Sequence, residues 1–383
     1  IRYFISLLMP IFDYKKRIIR PVDWIKQPFE DVLRLVSKIS YLFIRLIFHK
    51  NHAGIENINR LLIIRRNKLG DAISVLPLIQ ALKEKYPNVT IDVIATPYNE
   101  VIFELSKSVN NIYTIPDRYL NNRYLVCFHP QMRKLKHEKN YCLAIGATGS
   151  YSSATAWLAF CAPATQRVGV ISEKGSIMDL IYNIQIPQKK IIPSIHQVKK
   201  IALLAKYANI INQDEKLPKP ELNLKSKLSP NKEKIIALCP LTIRKQSDWG
   251  DENWVKLANI LERNQLQYNW IGYKPEGVNG QIITPSSTID FIQHLSKYFL
   301  VICIEGGTSH IAPALSCATI VISGVNISKS WIPWSDEVVL FERTGKVSVI
   351  KPESIANQAI YKTNKGLFIN QDGAIFNDNF NNS

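Results

Sequence analysis

From residue 61 onward, strand-like and helix-like runs take turns, and this alternation constrains the fold more than any other feature of the chain. "LLIIRR" (61–66) reads as a strand, "AISVLPLIQALKEKY" as a helix, "TIDVIAT" as a strand and "NEVIFELSK" as a helix. Short strands at "NIYTI" and "CLAIGAT" and a helix through "SATAWLAF" follow. Pro77 lies about one turn into the first helix, which predicts either a kink or a later true start. Alternation of this length argues for a parallel sheet covered on both faces.

A helix around "HQVKKIALLAKYANI" (196–210) precedes a polar, Lys- and Pro-rich stretch, and alternation then resumes at "IIALCP" (235–240). It continues through "NWVKLANILERN", "LQYNWIG", "STIDFIQHLSKYF", "LVICIEGG", "TSHIAPALSC" and "TIVISGV". The expected organisation is an α/β chain of two Rossmann-like domains, 61–212 and 233–364, joined by a linker at 213–232. Residues 365–383 form an Asn-rich tail. Ligands of such sheets bind outside the carboxyl ends of the strands, here in the cleft between the two halves.

With 383 residues, 46% hydrophobic and 21% charged, the chain has the composition of a globular protein with room for two cores. A net charge of +17 points to anionic partners without choosing among nucleic acid, acidic membrane and phosphorylated small molecules. Cys127, Cys142, Cys161, Cys239, Cys303 and Cys317 are scattered singly, the pattern of free thiols in a reducing compartment. No apolar run is long enough to span a bilayer, and the opening "IRYFISLLMPIF" lacks a basic leader and a small-residue cleavage site.

Residues 1–60 form a distinct basic extension, with eleven Lys/Arg against five Asp/Glu. Within "FEDVLRLVSKISYLFIRLIFHK" (29–50), apolar residues share one helical stripe, and Arg34, Lys38 and Arg45 fall on another. Such a helix lies either in an anionic headgroup layer or against the protein's own core, because both give the same periodicity.

Three strand-to-helix junctions carry the residues suited to chemistry. In "RRNKLGDAISVLP", Asp71 sits directly after Gly70 where a helix begins, downstream of Arg65, Arg66 and Lys68. It is either a helix cap, worth roughly 1 kcal/mol, or a working base. In "LCPLTIRKQSDWGDENW", Thr242, Arg244 and Lys245 follow a strand, and a hydroxyl with two cations suits phosphate oxygens. In "VICIEGGTSHIAPAL", Glu305, Gly306 and Gly307 lead into a helix opened by Thr308 and Ser309, with His310 next. Free N–H groups at such a helix start make an anion site. "WIGYKPEG" adds Gly272 and Glu276, a carboxylate placed either to accept ribose hydroxyls or simply in a surface turn.

The chain contains neither a G-x-G-x-x-G dinucleotide loop nor a P-loop, so a nicotinamide dehydrogenase and a P-loop kinase fit poorly. No His–carboxylate cluster in the sequence suggests a metal site.

Taken in order, these junctions resemble those of the bacterial lipopolysaccharide heptosyltransferases, ADP-heptose-using glycosyltransferases of GT-B type. "RRNKLGDAISVLPLIQALKEKYP" is similar to that family's opening, and "CIEGGTSHIAPALSCATIVISG" to its donor run, usually D-T-G-x-x-H. "WGDENWVKLANIL" and the Gly272–Glu276 step match two further features, so the likeness covers roughly 61–335. The family's usual Asp is Glu305 here, its Thr is Gly306, and the Lys two residues before the loop Trp249 is Ser247.

The resemblance implies a GT-B fold and an inverting transfer with no metal or other cofactor, in which Asp71 is the general base. It implies ADP-heptose or a related nucleotide-sugar as donor, bound by Thr242, Arg244, Lys245, Glu276, Glu305, Gly306, Gly307, Thr308, Ser309 and His310. A lipid-linked, phosphorylated oligosaccharide is the implied acceptor, met by Arg66, Lys68 and Gly70 with Arg65 beside them. The expected location is the cytoplasmic side of an anionic inner membrane, peripherally attached. The alternatives are a different nucleotide-sugar, or a non-catalytic sugar-nucleotide or glycolipid binder on the same fold. Nucleic acid is not expected, because no aromatic–basic interleaving or binding module supports it.

Overall fold

The computed structural model describes residues 57–364 and Ile55, apart from 122, 139, 225–232 and 329. The amphipathic stretch 29–50 and the tail 365–383 lie outside the described residues.

One sheet holds β1 (Arg60–Ile64), β2 (Thr90–Ala95), β3 (Asn111–Thr114), β4 (Tyr141–Gly146), β5 (Ala164–Ile171) and β6 (Ile184–Pro187). A second holds β7 (Glu233–Cys239), β8 (Tyr268–Ile271), β9 (Gln281–Ile283), β10 (Tyr298–Ile304), β11 (Ala318–Ser323) and β12 (Val338–Glu342). Their orders are β3-β2-β1-β4-β5-β6 and β12-β11-β10-β7-β8-β9. Read from opposite edges, these are the same topology: the first strand is central, the next two lie on one side and the last three on the other. Every pairing is parallel. In each sheet the chain reverses direction of travel beside its first strand, between β1 and β4 and between β7 and β10. Those are the two switch points at which an open α/β sheet leaves a crevice.

Strand residues alternate between two apolar layers. Leu61 and Ile63 face a core shared with Ala237, Cys239, Val301 and Cys303 of the second sheet, so one apolar cluster runs through both lobes. Leu62 and Ile64 face a separate layer with Trp157 and Leu158. The outer layer of the second sheet is built on Trp249, Trp254 and Trp270. Burial on both faces is the condition that makes all-parallel sheets stable.

The helix expected after β1 is two helices, Leu69–Ile73 and Leu76–Lys85, with Pro77 in the first turn of the second. Proline is tolerated there because that N–H has no intrahelical acceptor. The first helix is thereby free to run at its own angle toward the other lobe.

The described part of the expected linker, 213–224, has no helix or strand, yet it is tied to both lobes. The Leu222 N–H donates to Ala314 O at 2.9 Å, and the Asn223 N–H donates to Leu105 O at 2.8 Å. Lys219 pairs with Asp336 at 2.8 Å. Further along the seam the Gln197 N–H donates to Ser330 O at 2.9 Å, and the His196 Nε2 lies 2.6 Å from Ile332 O.

Candidate active site

Asp71 belongs to the helix Leu69–Ile73, but the cap position is taken by Lys68 and Asp71 is three residues further on. One carboxylate oxygen accepts the Lys68 N–H at 3.2 Å. The other is bound by the Arg65 guanidinium. Arg65 was expected beside the acceptor; instead it is buried beneath the site, its side chain 2% exposed against 17% for Asp71. It also donates to Asp71 O at 2.9 Å and to Ala147 O at 2.6 Å. Ala147 directly follows β4, so Arg65 bridges the switch point of the first sheet and holds the helix start in place. Burial lowers the Arg65 pKa and Asp71 opposes that shift.

Asp71 opens onto a depression of about 630 Å³ lined by Asn67, Lys68, Thr96, Tyr98 and Asp117 among others. These residues follow β1, β2 and β3, so the hollow lies over the carboxyl ends of three strands. Lys68 is exposed there. Arg66 is paired with Asp117, Nε to Oδ1 at 3.1 Å. Asn67 has φ +84, a left-handed conformation that asparagine accepts more readily than most residues.

Gly70 turns toward the second lobe. A Cβ there would lie 2.7 Å from the His310 ring, and one on Gly307 would lie 3.7 Å from Leu69. The helix carrying Asp71 therefore packs directly on the helix Gly307–Ala314. His310 lies between Gly70 and Trp331, whose ring centre is 6.2 Å away, edge on. Burial, with His196 nearby, pushes the His310 pKa down to about 4, so the ring is neutral at pH 7.

In the second lobe the helix starts at Gly307 behind Gly306, which is exposed with φ +149 and has open space above it. Thr308 is half-buried in the first turn. Ser309, expected to meet the donor, is turned inward: its Oγ accepts the Gly306 N–H at 3.2 Å and donates to Gly306 O at 2.9 Å. Glu305 is buried, with both oxygens 3.0 Å from Arg244 Nη1 and one accepting from Ser247 Oγ at 3.0 Å. Arg244 follows β7 and Glu305 follows β10, so this pair bridges the second switch point as Arg65 bridges the first. Thr242 Oγ1 accepts the Arg244 N–H at 3.0 Å, and Lys245 is exposed. The loop is anchored by Trp249, fully buried, which donates to Ile350 O at 2.9 Å.

Gly272 directly follows β8 with φ +79, as a left-handed turn requires. Glu276 is exposed on the turn beyond and makes no hydrogen bond among the described residues. Among the described residues no three His, Cys, Asp or Glu side chains gather to hold a metal, and no helix is long and apolar enough to cross a membrane.

The structure thus gathers Asp71, Lys68 and Gly70 on one side of a seam, and Arg244, Glu305, Gly306, Gly307 and His310 on the other. Asn67, Thr96, Tyr98 and Asp117 were missed from sequence. They come from three separate loops, and only knowledge of the strand order brings them together.

No curated protein matches the sequence. E. coli heptosyltransferase WaaC with ADP is similar in structure, with a TM-score of 0.67 at 17% identity over 79% of this chain and 99% of that one. E. coli ADP-heptose LPS heptosyltransferase II gives 0.63 at 16% identity, covering 80% of this chain and 99% of that one. A family 9 glycosyl transferase from Veillonella parvula gives 0.68 at 11% identity, covering 82% and 99%. These likenesses establish the fold as GT-B, two parallel-sheet domains facing one another. The pattern of glycosyltransferase family 9 (heptosyltransferase) matches residues 131–348, more than half of the chain. The chain therefore belongs to glycosyltransferase family 9, the heptosyltransferase family.

Proposed function

We propose that this glycosyltransferase moves a heptose from ADP-heptose to a lipid-linked, phosphorylated oligosaccharide of the lipopolysaccharide core, with inversion at the anomeric carbon. The observation that carries the reading is the place of Asp71. It is held by a buried guanidinium at the edge of an open hollow, on a helix packed against the helix start of the opposite lobe.

An acceptor in the hollow presents a hydroxyl to Asp71, which takes its proton as the oxygen bonds to the anomeric carbon. The bond from that carbon to the diphosphate breaks, and ADP departs on the other face. Arg244, Lys245 and the N–H groups behind Gly306 meet the charge that develops on the leaving diphosphate. Those fixed charges do the work without calling on a metal. Glu276 is placed beyond β8 for the nucleotide ribose, and Lys68 for acidic groups of the acceptor. The net charge of +17 favours a peripheral position at the cytoplasmic face of an anionic membrane, where such an acceptor is held. In WaaC and heptosyltransferase II the names record ADP or ADP-heptose, which supports the same donor here.

A panel of ADP-, UDP-, GDP- and CMP-sugars tests this, read by thermal shift and by release of free nucleotide with a lipid-linked core acceptor. ADP-heptose is expected to raise Tm and to release ADP only when acceptor is present. No shift with any member of the panel overturns the proposal.

A further inference from the structure

A buried carboxylate beside a sugar-nucleotide site ordinarily suggests hydrogen bonding to sugar hydroxyls. Glu305 is not free to do this. Its side chain is 5% exposed, both oxygens face Arg244 Nη1, and Oε1 also accepts from Ser247. Ser247 is itself buried and fixed, because its Oγ accepts the Gly324 N–H at 3.3 Å. Gly324 admits no side chain: a Cβ there would lie 1.7 Å from Gln246 O. The carboxylate is therefore locked from behind by Ser247 and spent in front on the guanidinium.

Arg244 is the opposite case, with 45% of its side chain exposed. Nη1 is committed to Glu305, while Nε and Nη2 have no hydrogen-bond partner among the described residues. That leaves one edge of the guanidinium, a fork of two parallel N–H groups, which is the geometry that grips a phosphate. Glu305 immediately precedes Gly306 and the start of the anion-accepting helix, so the fork and the helix N–H groups are set by the same turn.

We propose that Glu305 is a positioning residue that aims Arg244 at the donor's diphosphate, and that it does not contact the donor sugar. This rests on the reading of the site as a nucleotide-sugar site and narrows it: the carboxylate serves diphosphate recognition, and sugar selection is made elsewhere in the seam. Glu305→Asp is the discriminating change. It keeps the charge but shortens the reach by one methylene, so the carboxylate no longer spans Arg244 and Ser247 together.

Affinities for ADP and for ADP-heptose are measured by calorimetry on the wild type, Glu305→Asp, Arg244→Gln and the double variant, with Tm recorded for each. Glu305→Asp is expected to weaken both ligands by the same factor, about tenfold, as for loss of one charge-assisted contact. In the Arg244→Gln background it is expected to cause no further loss, which a merely structural role would not produce. A change for ADP-heptose with ADP left within about twofold would mean that the carboxylate meets the sugar, and overturns the proposal. So does additivity with Arg244→Gln. If the wild type binds neither ligand, nor UDP or GDP, the donor reading itself fails and takes this inference with it; that failure appears before any variant is made.

Discussion

Gly70→Ala places one methyl group at the contact between the lobes, and its consequences follow from two opposing effects. Gly70 lies in the helix Leu69–Ile73, and its φ is not positive, so alanine fits the backbone and favours the helix by about 0.5–1 kcal/mol. The new Cβ, however, lies 2.7 Å from His310 Cδ2 and 3.3 Å from Nε2. The first distance is about 1 Å inside the optimum for two carbons. His310 has little room to yield, since the void it shares with Ile73, His196, Trp331 and Trp334 is only about 10 Å³. The helices must separate, and overpacking of this kind costs about 1–3 kcal/mol. The net loss of stability is then small, about 0–2.5 kcal/mol, while Asp71 shifts relative to the donor lobe. A misplacement of about 1 Å is enough to cost on the order of 10²-fold in rate. Glycosyl transfer and thermal unfolding of the variant are measured side by side. The account expects a Tm within a few degrees of wild type and a large fall in turnover. Wild-type turnover would show that the Gly70–His310 contact does not set the geometry of reaction.

Arg65→Met removes the guanidinium that holds Asp71 Oδ1, Asp71 O and Ala147 O; Asp71 O keeps the Ser74 Oγ donor at 2.7 Å, while Asp71 Oδ1 and Ala147 O lose theirs. Because Asp71 is partly open to water, the expected loss is about 2–4 kcal/mol in urea unfolding, and under about 1 kcal/mol would contradict the anchoring role. His310 carries a signature in pH. Its pKa falls to about 4 in the folded protein, below the ordinary value of 6.5, so the unfolded chain binds more protons between those limits. Stability therefore declines as pH falls from about 6.5 toward 4, by roughly 2–3 kcal/mol from this group, with His196 adding the same sign. Urea midpoints across that range read the slope, and His310→Asn is expected to flatten it; an unchanged slope would refute the assignment.

The alternation of strands and helices was legible because most central strands are pure apolar runs. β1, β4, β10 and β11 announce themselves in this way, whereas β2, TIDVIA, carries the buried Asp92, which accepts from Arg60, Asn111 and Tyr141. β5 does not: its sequence ATQRVGVI has Gln166 and Arg167 in the middle, and Arg167 is buried with Ala159 O and Ala162 O accepting from it. β9 has three residues, two of them exposed, and offers no period to read. The place of Asp71 at the start of the helix after β1 was visible, yet its partner was misjudged. Arg65 looked like a cation for ligands; it continues the parity of Leu61 and Ile63 toward the inside, and that two-residue period was the available signal. The Arg244–Glu305 pair joins residues 61 positions apart, and only the strand order that sets β10 beside β7 reveals it. The hollow beside Asp71 is likewise a product of topology, since its walls come from loops after β1, β2 and β3.

The measurement that bears most directly on the account is turnover and ADP affinity of Asp71→Asn with ADP-heptose and its acceptor. Asparagine keeps the size of the side chain but offers one acceptor where Arg65 and Lys68 need two, so some stability is lost and Tm must be recorded alongside. With the protein folded at the assay temperature, the account predicts a fall of roughly 10²–10⁴-fold in sugar transfer, as for removal of a general base. ADP affinity should stay within about twofold, because the diphosphate groups lie on the other lobe. Transfer at the wild-type rate by a folded Asp71→Asn protein would contradict the assignment of Asp71 as the base.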